Sequence, residues 1–410
     1  MISEHTGACR LLGVLRRVPR ALHRIAPGMV ATSVGLPLAF AIALCPAQAQ
    51  DTIKIGVPAP LSGSYQNAGT DVVDGARLAV EQINAAGGVR GRMLELVPQD
   101  DACDPDVAAK ATTQLVATGV VAVAGGYCSS AALPELRVLH DRHIPYVLDA
   151  STIPQLTDHG WPDVFRTIGR TDAQGTLSAS LMEGVLHAKR AAVMNDGSTY
   201  SQVLAESAVA ALKRDGVEVV YDDAITPGQS DYRDIVHAVG NLKPDVLYFT
   251  GYYTEAAALA KALRELAPSI KHFMGNGTAD PSLIQKGGDA VEGMIVTTSP
   301  LPQFMDGPRA RRFVKAYQAA YQRDAGPYSV YEYDAIGVTA RAIQNAKSIV
   351  PEDIAVALHA LKRYSGATGE IAFDWKGDRT KAAYMAVIVR GGKFEPYARL
   401  DAKEQWVVAK

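Results

Sequence analysis

The chain has 410 residues, which at roughly 150 residues per domain predicts two or three domains. Charged residues make up 20% of the chain, aromatic residues 7%, and the formal net charge is -2. This profile excludes a disordered tail protein, a collagen and a basic nucleic-acid binder, and it fits an ordinary soluble α/β protein.

The first 49 residues differ from the remainder in charge and hydropathy. They contain five arginines and one acidic residue, which leaves 36 basic and 42 acidic residues for the rest of the chain. A mostly apolar run over 29–44 follows the arginines and precedes Ala47-Gln48-Ala49, so the segment has the three parts of a secretory signal. We therefore expect residues 1–49 to be a signal peptide, cleaved after Ala49, and the protein to be exported.

Two alternatives concern the same segment. A retained membrane anchor is disfavoured, because prolines at 27, 37 and 46 leave too short an apolar span for a transmembrane helix. Lipidation of Cys45 is disfavoured, because Leu44 stands where lipidation signals usually have a small residue. Removal of the signal leaves Cys103 and Cys128, and two cysteines in an exported protein predict one disulfide, with two buried free thiols as the alternative.

After the signal, short apolar runs alternate with helical stretches, which is typical of βαβ units around mostly parallel sheets. The first unit joins a strand over 53–57 to a helix over 70–85 whose apolar residues are spaced by three and four. Further predicted strands are 93–97, 120–124, 144–148, 191–194, 217–221 and 246–250, and further predicted helices are 106–117, 131–142, 173–187, 201–214, 232–241 and 255–266. Because the alternation restarts after Gly169, we expect two similar lobes of about 120 residues each.

Motifs that announce catalytic sites are missing from the sequence. It contains no GxxxxGK[ST], GxGxxG, GxSxG, HExxH or CxxC, which weakens an enzyme interpretation. His140 and His143 form a close pair, and we expect them to lie on a solvated surface at a helix end instead of at a metal site. The expectation is therefore no catalytic residue, no metal and no cofactor.

Small and hydroxyl-bearing residues follow two neighbouring predicted strands. Tyr127-Cys128-Ser129-Ser130 precedes a helix, where free backbone N–H groups and the helix dipole favour an anion. Ala150-Ser151-Thr152 follows the next strand, so two strand ends offer hydroxyls at one crevice. A serine helix cap without a ligand is the alternative. The arrangement predicts a site for a small carboxylate.

Tyrosines occupy the corresponding positions in the second series. Tyr200 follows the predicted strand 191–194, and Tyr252-Tyr253 follows the strand ending at Thr250. Tyrosines can close over a ligand with ring and hydroxyl together. A surface or interface position is the alternative for each tyrosine taken singly, so this prediction depends on their shared place opposite the first series.

Ordered segments along nearly the whole chain after the signal carry a resemblance to a known family. They are Ile53-Lys54-Ile55-Gly56, Leu61-Ser62-Gly63, Ile83-Asn84-Ala85-Ala86-Gly87-Gly88-Val89, Asp100-Asp101-Ala102-Cys103-Asp104-Pro105, Cys128-Ser129-Ser130, Phe165-Arg166-Thr167, Asp172-Ala173-Gln174-Gly175, Gly251-Tyr252 and Phe273-Met274-Gly275. In these segments the chain resembles the periplasmic substrate-binding proteins of ABC transporters for branched-chain amino acids, the type I family with leucine/isoleucine/valine-binding members.

This resemblance implies an α/β fold of two Rossmann-like lobes with mostly parallel sheets, joined by a hinge of three crossovers that closes on a ligand. The N-terminal lobe would comprise residues 50–170 and 300–377, and the C-terminal lobe residues 171–299 and 378–410. The resemblance also assigns roles to single residues. Cys103 and Cys128 match the family's disulfide, and Tyr200 and Tyr252 match tyrosines of the closing lobe. Ser129, the Ala150 backbone and Thr152 match positions that hold the carboxylate and ammonium of an amino acid.

Two departures from the family pattern concern the ligand. Amino-acid-binding relatives have an acidic residue for the ammonium where this chain has Gly277. Either another acid replaces it, with Asp149, Asp172 and Asp280 as candidates, or the ligand lacks that ammonium. In the first loop, Tyr65 precedes the family's tyrosine position, which here holds Ala68, and Tyr127 is expected to narrow the pocket. An aromatic or otherwise modified carboxylate would fit these changes.

The leading interpretation is the solute-binding component of an ABC importer. It would capture a branched-chain amino acid or a related small carboxylate between two lobes and deliver it to an inner-membrane ABC permease. We expect a monomer that binds no nucleic acid. The alternatives are a ligand-binding sensory module of the same fold, a receptor for an aromatic or amine-free carboxylate, and a secreted enzyme on this fold.

Overall fold

The computed structural model describes residues 52–409, so the predicted signal at 1–49 lies outside the described residues. Two large sheets and one small one account for the strands of that range. The strands are β1 (Ile53–Ala59), β2 (Leu94–Asp100), β3 (Ala122–Gly125), β4 (Tyr146–Leu148), β5 (Val164–Arg166), β6 (Arg190–Asn195), β7 (Glu218–Ala224), β8 (Val246–Phe249), β9 (Lys271–Met274), β10 (Ile295–Thr298), β11 (Tyr364–Gly366), β12 (Gly369–Ile371), β13 (Met385–Arg390), β14 (Lys393–Leu400) and β15 (Trp406–Val408).

Both large sheets contain the same parallel arrangement. The first sheet has the order β2-β1-β3-β4-β5, and all of its neighbouring strands are parallel. The second contains β7-β6-β8-β9-β10 in the corresponding parallel order and continues into β13, β14 and β15, which pair antiparallel. The short strands β11 and β12 form a separate antiparallel pair.

Helices cover these sheets, so strands such as β3 and β8 are buried along their whole length, as parallel strands between helical layers should be. In the described range the α-helices are α1 (Gln66–Ala85), α2 (Pro105–Ala117), α3 (Ser129–His140), α4 (Gln155–Asp158), α5 (Thr171–Gly184), α6 (Thr199–Arg214), α7 (Arg233–Asn241), α8 (Tyr253–Leu266), α9 (Pro281–Gly287), α10 (Pro308–Tyr321), α11 (Ser329–Asn345) and α12 (Pro351–His359). Around the first sheet α1 packs against α11 and α2 against α3, and α5 packs against α6 at the second sheet. None of the helices in this range has the length and apolar character needed to cross a membrane.

The chain passes between the two large sheets three times. It leaves the first sheet after β5, returns after β10 to place α11 against β3 and β4, and leaves again between β12 and β13. The predicted α/β fold class with two mostly parallel sheets is confirmed. The predicted lobe limits at 170/171, 299/300 and 377/378 fall in these three passages, and the assignment of residues to lobes stays a prediction.

Local details near the first sheet correct the sequence interpretation. Helix α1 begins at Gln66, four residues before the predicted start, because a 3-10 turn at Gly63–Tyr65 leads directly into it. Ser129 is the first residue of α3, and Cys128, not a serine, is at the N-cap. Cys103 and Cys128 form the predicted disulfide, with Cα atoms 5.4 Å apart, and so tie the loop before α2 to the start of α3.

Candidate functional site

The strand orders place a crevice at one edge of each sheet. In the first sheet the order reverses between β1 and β3, and in the second it reverses between β6 and β8. Ligands of open α/β sheets bind beyond the carboxyl ends of the strands at such a reversal. We therefore expect a ligand site among the loops that follow these four strands.

Each of those four loops supplies one of the predicted tyrosines. Tyr65 and Tyr127 follow β1 and β3, and Tyr200 and Tyr252 follow β6 and β8. The rings meet around Tyr252, whose centroid lies 4.8 Å from Tyr65, 5.8 Å from Tyr127 and 5.3 Å from Tyr200. The two sheet edges thus face each other across an aromatic cluster, and the structure brings together all four tyrosines predicted from the sequence.

The tyrosine hydroxyls in this cluster are shielded from solvent. Burial raises the pKa of Tyr127, Tyr200 and Tyr252 well above the usual tyrosine range, and the neighbouring phenols and acids add to the rise. These hydroxyls stay protonated at any physiological pH. Each can donate one hydrogen bond as well as accept, which suits polar recognition in an otherwise apolar enclosure.

Tyr328 completes the cluster and was not predicted. Its ring lies edge-on to Tyr127 with centroids 5.1 Å apart. Its hydroxyl donates to the Asn276 carbonyl and accepts from the Asn276 side-chain amide, both at 3.1 Å, and so joins the start of α11 to the loop after β9. Nothing in the local sequence around Tyr328 indicates this role, because only the passage after β10 brings it to the cleft.

Other hydrogen bonds join the loops of the two sheets directly. The Tyr253 hydroxyl donates to the Ser64 carbonyl at 2.9 Å, and the Asn67 amide donates to the Ser282 hydroxyl at 3.3 Å. A cavity of about 540 Å³ lies between α1 and α9, with Asn67 and Ser282 in its wall. Together with the tyrosine contacts, these bonds hold the two edges against each other.

The predicted polar residues lie at the ends of β3 and β4. The Thr152 N–H donates to the Ser129 hydroxyl at 3.3 Å, the Thr171 hydroxyl donates to the Thr152 hydroxyl at 2.7 Å, and the Ser151 hydroxyl donates to the Gly126 carbonyl at 2.7 Å. Ala150 lies between these hydroxyls in the same buried segment. The sequence prediction therefore placed Ser129, Ala150, Ser151 and Thr152 together, as the structure has them.

A buried arginine positions this segment from behind. Arg166, at the end of β5, donates to the Ile153 carbonyl at 2.9 Å and to the Asp378 carboxylate at 2.8 Å through Nε. Asp378 lies in the third passage between the sheets and also accepts from Arg170 at 2.7 Å and from Thr157 at 2.9 Å. The loop after β4 is thus fixed to the third passage between the two sheets.

Gly277, which stands where relatives have an acid, leaves little room for a side chain. Its N–H donates to the Tyr200 hydroxyl at 2.9 Å. A Cβ at this position would lie 3.0 Å from the Gly251 carbonyl oxygen and from the Tyr252 ring, and 3.1 Å from the Tyr200 ring. The tyrosines therefore occupy the space that a larger residue would need.

The three acids suggested as substitutes differ in their contacts. Asp172 is paired with Arg170 at 3.0 Å, and Asp280 caps α9 by accepting from the Ser282 N–H at 2.7 Å. Asp149 is fully buried directly before Ala150, and neither of its oxygens has a hydrogen-bond partner among residues 52–409. No group of three or more histidine, cysteine or acidic side chains in that same range could hold a metal ion.

Comparisons with known proteins agree with this architecture. A family model described as periplasmic binding protein matches residues 52–393. The chain is 31% identical over 331 residues to the leucine-, isoleucine-, valine-, threonine- and alanine-binding protein of Pseudomonas aeruginosa, covering 80% of this chain and 88% of that protein. It is 32% identical over 344 residues to a leucine-specific-binding protein of Salmonella typhimurium, covering 82% and 91%. The crystal structure of a leucine binding protein, LivK, from Thermotoga maritima superposes with a TM-score of 0.81 at 29% identity, covering 86% of this chain and 99% of that one.

Proposed function

The chain belongs to the periplasmic binding protein family, and from that premise we propose that it is the extracytoplasmic solute-binding component of an ABC importer. It captures a branched-chain amino acid or a related small carboxylate between its two sheet edges and delivers it to an inner-membrane permease. The observation that carries this proposal is the cluster of tyrosines from both strand-order reversals, in which Tyr127 stands two residues before Ser129 of the polar strand-end segment. The lobe limits expected from the sequence belong to the same proposal.

The polar segment suits a carboxylate. Ser129 begins a helix of twelve residues, where unbonded N–H groups and the helix dipole favour negative charge. The Ser129 hydroxyl accepts from the Thr152 N–H at 3.3 Å, and the Thr152 hydroxyl accepts from the Thr171 hydroxyl at 2.7 Å, so each can still donate a hydrogen bond. A carboxylate would accept from them, while the phenols of the second sheet close over the remainder of the solute.

The proposal has further parts, which concern catalysis, cofactors, the partner, the location and the oligomeric state. The protein binds without catalysing a reaction and needs no cofactor. Its partner is the permease, its location is the periplasm, and residues 1–49 direct its export. It acts as a monomer.

A second ligand class has an observation in its favour. Because Gly277 offers no acid and its surroundings are filled by tyrosine rings, an aromatic or amine-free carboxylate would also fit the cleft. This candidate changes the solute and not the role of the protein.

Thermal shift measurements on the chain from Gln50 onward test the proposal. The panel contains aliphatic amino acids, aromatic amino acids and carboxylates without an amine. A ligand that binds only the folded state at one hundred times its Kd stabilises by about 2.7 kcal/mol, so the correct class raises the melting temperature measurably. Failure of every class in the panel would contradict the proposal.

A double variant and a control variant test whether the carboxylate of the solute binds at Ser129 and Thr152. Replacing both Ser129 and Thr152 with alanine should weaken binding about tenfold or more, because each hydroxyl contributes a buried hydrogen bond. Ser178→Ala is the matched control, since Ser178 is equally buried but bonds to Thr297 in the second sheet at 2.7 Å. Equal affinities of the double variant and the control would show that the pocket lies elsewhere.

A further inference from the structure

The buried carboxyl of Asp149 calls for an explanation. Polar side chains buried in folded proteins nearly always have a hydrogen-bond partner. In residues 52–409 no hydrogen bond of ordinary geometry reaches either Asp149 oxygen, although the backbone N–H groups of residues 149 and 150 make weak hydrogen-bonding contacts with the carboxyl. Burial raises its pKa well above the usual range, and these N–H groups only partly oppose the rise.

A second buried polar group without a hydrogen-bond partner in residues 52–409 is the hydroxyl of Tyr127, which lies beside Tyr328. The Tyr127 hydroxyl is fully buried and also lacks a hydrogen-bond partner within residues 52–409. Tyr127 packs edge-on against Tyr328 at 5.1 Å. Besides burial and the charge of Asp280, the charge of Asp149 raises the pKa of Tyr328, so the Asp149 carboxyl is near that ring. One unsatisfied donor and one unsatisfied acceptor are thus both neighbours of Tyr328, at the edge of the proposed cleft.

The two other acids proposed from the sequence are already satisfied. The Asp172 carboxylate is held by Arg170 on both oxygens at 3.0 Å, and Asp280 is the N-cap of α9. Glu255 has one orphaned oxygen, Oε2, but it belongs to α8 of the second sheet, and its charge raises the pKa of Tyr65. Among residues 52–409, Asp149 and Glu332 of α11 are the buried acids whose two oxygens both lack a hydrogen-bond partner, and Asp149 is the one that adjoins the Ala150 to Thr152 segment.

We infer that Asp149 receives the cationic group of the solute, the α-ammonium of an amino acid whose carboxylate is held at Ser129 and Thr152. This inference rests on the proposed function and names the amine-bearing class within it. An ammonium that leaves water needs an anionic acceptor, and Asp149 is the acid that remains available at this strand end. On binding, the carboxyl gives its proton to solvent, and the ammonium keeps its three protons and donates to the resulting carboxylate. The Tyr127 hydroxyl, which has no partner within residues 52–409, can donate a second hydrogen bond to the solute.

The test uses matched pairs of probes that differ only in the amine. Leucine is compared with 4-methylpentanoate, and phenylalanine with 3-phenylpropanoate, by titration calorimetry against the wild type, Asp149→Asn and Glu135→Gln. Glu135 is the control because it is another fully buried acid near the first sheet, but its Oε2 accepts a hydrogen bond from Tyr146 at 2.5 Å, which leaves only Oε1 without a partner in residues 52–409. Glu255→Gln examines the orphaned acid of the second sheet.

If Asp149 receives the ammonium, Asp149→Asn weakens binding of the amino acid by about tenfold to a hundredfold, as the loss of a charge-assisted hydrogen bond does. Binding of the amine-free partner stays within about threefold, and Glu135→Gln changes neither affinity by more than that. Unchanged amino-acid affinity in Asp149→Asn, an equal loss for both probes, or the selective loss appearing in Glu255→Gln overturns the inference while the proposed function stands. Wild-type binding of amine-free probes alone also overturns it, whereas binding of no probe by the wild type contradicts the proposed function itself.

Discussion

Removal of the Asp378 carboxylate is expected to cost far more stability than removal of a comparable acid nearby. Arg166 is fully buried, and Asp378 is the carboxylate that pairs with it, at 2.7 Å from Nη2. Asp378→Ala leaves the guanidinium buried with only neutral acceptors, such as the Ile153 carbonyl. Breaking a buried ion pair from one side typically costs about 3 to 5 kcal/mol, and we expect a loss of that size.

Asp172→Ala is the matched control for this experiment. Both acids pair with Arg170, at 2.7 Å for Asp378 and 3.0 Å for Asp172, but the Asp172 side chain is 46% exposed. Exposed pairs contribute about 0 to 1 kcal/mol, so the control should lose no more than that. Arg166→Met should cost less than Asp378→Ala, because Asp378 keeps its bonds to Arg170 and Thr157.

Urea unfolding followed by circular dichroism measures these free energies, provided that the slope m is the same for each variant. A ligand titration on the same proteins adds a second observable, because Arg166 also fixes the Ile153 carbonyl next to the proposed carboxylate site. A loss of less than about 1 kcal/mol for Asp378→Ala, or equal losses for the two aspartate variants, would refute the reasoning.

Three further predictions each concern one feature. Burial raises the pKa of Asp101 to about 7, so between about pH 4 and pH 7 the folded protein keeps a proton that the unfolded chain releases, and stability falls as pH rises through this window. In Asp101→Asn the decrease in unfolding free energy across this pH window should be smaller by up to about 4 kcal/mol. An equal pH dependence of the unfolding free energy in the wild type and the variant would contradict this prediction. Gly277→Ala should lose about 1 to 3 kcal/mol by overpacking the cleft and should weaken ligand binding, whereas Gly184→Ala, with no neighbour within 4 Å of its Cβ, should not be destabilised in calorimetry. Serine at both Cys103 and Cys128 should cost about 3 kcal/mol by opening a cross-link between residues 25 apart, and free thiols at both positions in the exported wild type would contradict the disulfide.

Regular alternation of short apolar runs and helices made the βα units predictable. The strand predicted at 246–250 is β8 at Val246–Phe249, because a strand buried on both faces must be continuously apolar. The start of α1 was missed because Gly69 lies in its first turns, and glycine is a poor helix former. That glycine is required by packing, since a Cβ there would collide with the Pro60 carbonyl.

Long-range contacts set the limit of the sequence prediction at the site. Four tyrosines were found because the carboxyl ends of parallel strands share one edge, so each could be placed from its own loop. Tyr328 and Asp378 could not be placed in this way, because each lies far along the chain from the residues of the first sheet that it contacts. Asp378, for example, is 212 residues from its partner Arg166. The antiparallel strands β13 to β15 were not predicted for a related reason, since their place in the second sheet depends on the third passage.

The two sheets share a strand order, but they present different chemistry at their edges. The first edge carries the helix end and the hydroxyls of Ser129 and Thr152, and the second contributes the phenols of Tyr200 and Tyr252. For the proposed solute, this division implies an order of events in time. A solute that enters when the two edges are apart first meets the hydroxyls of Ser129 and Thr152, and the phenols contact it when the edges return to the arrangement described here. Changes at the two tyrosines should therefore appear mainly in the dissociation rate, with the association rate nearly unchanged.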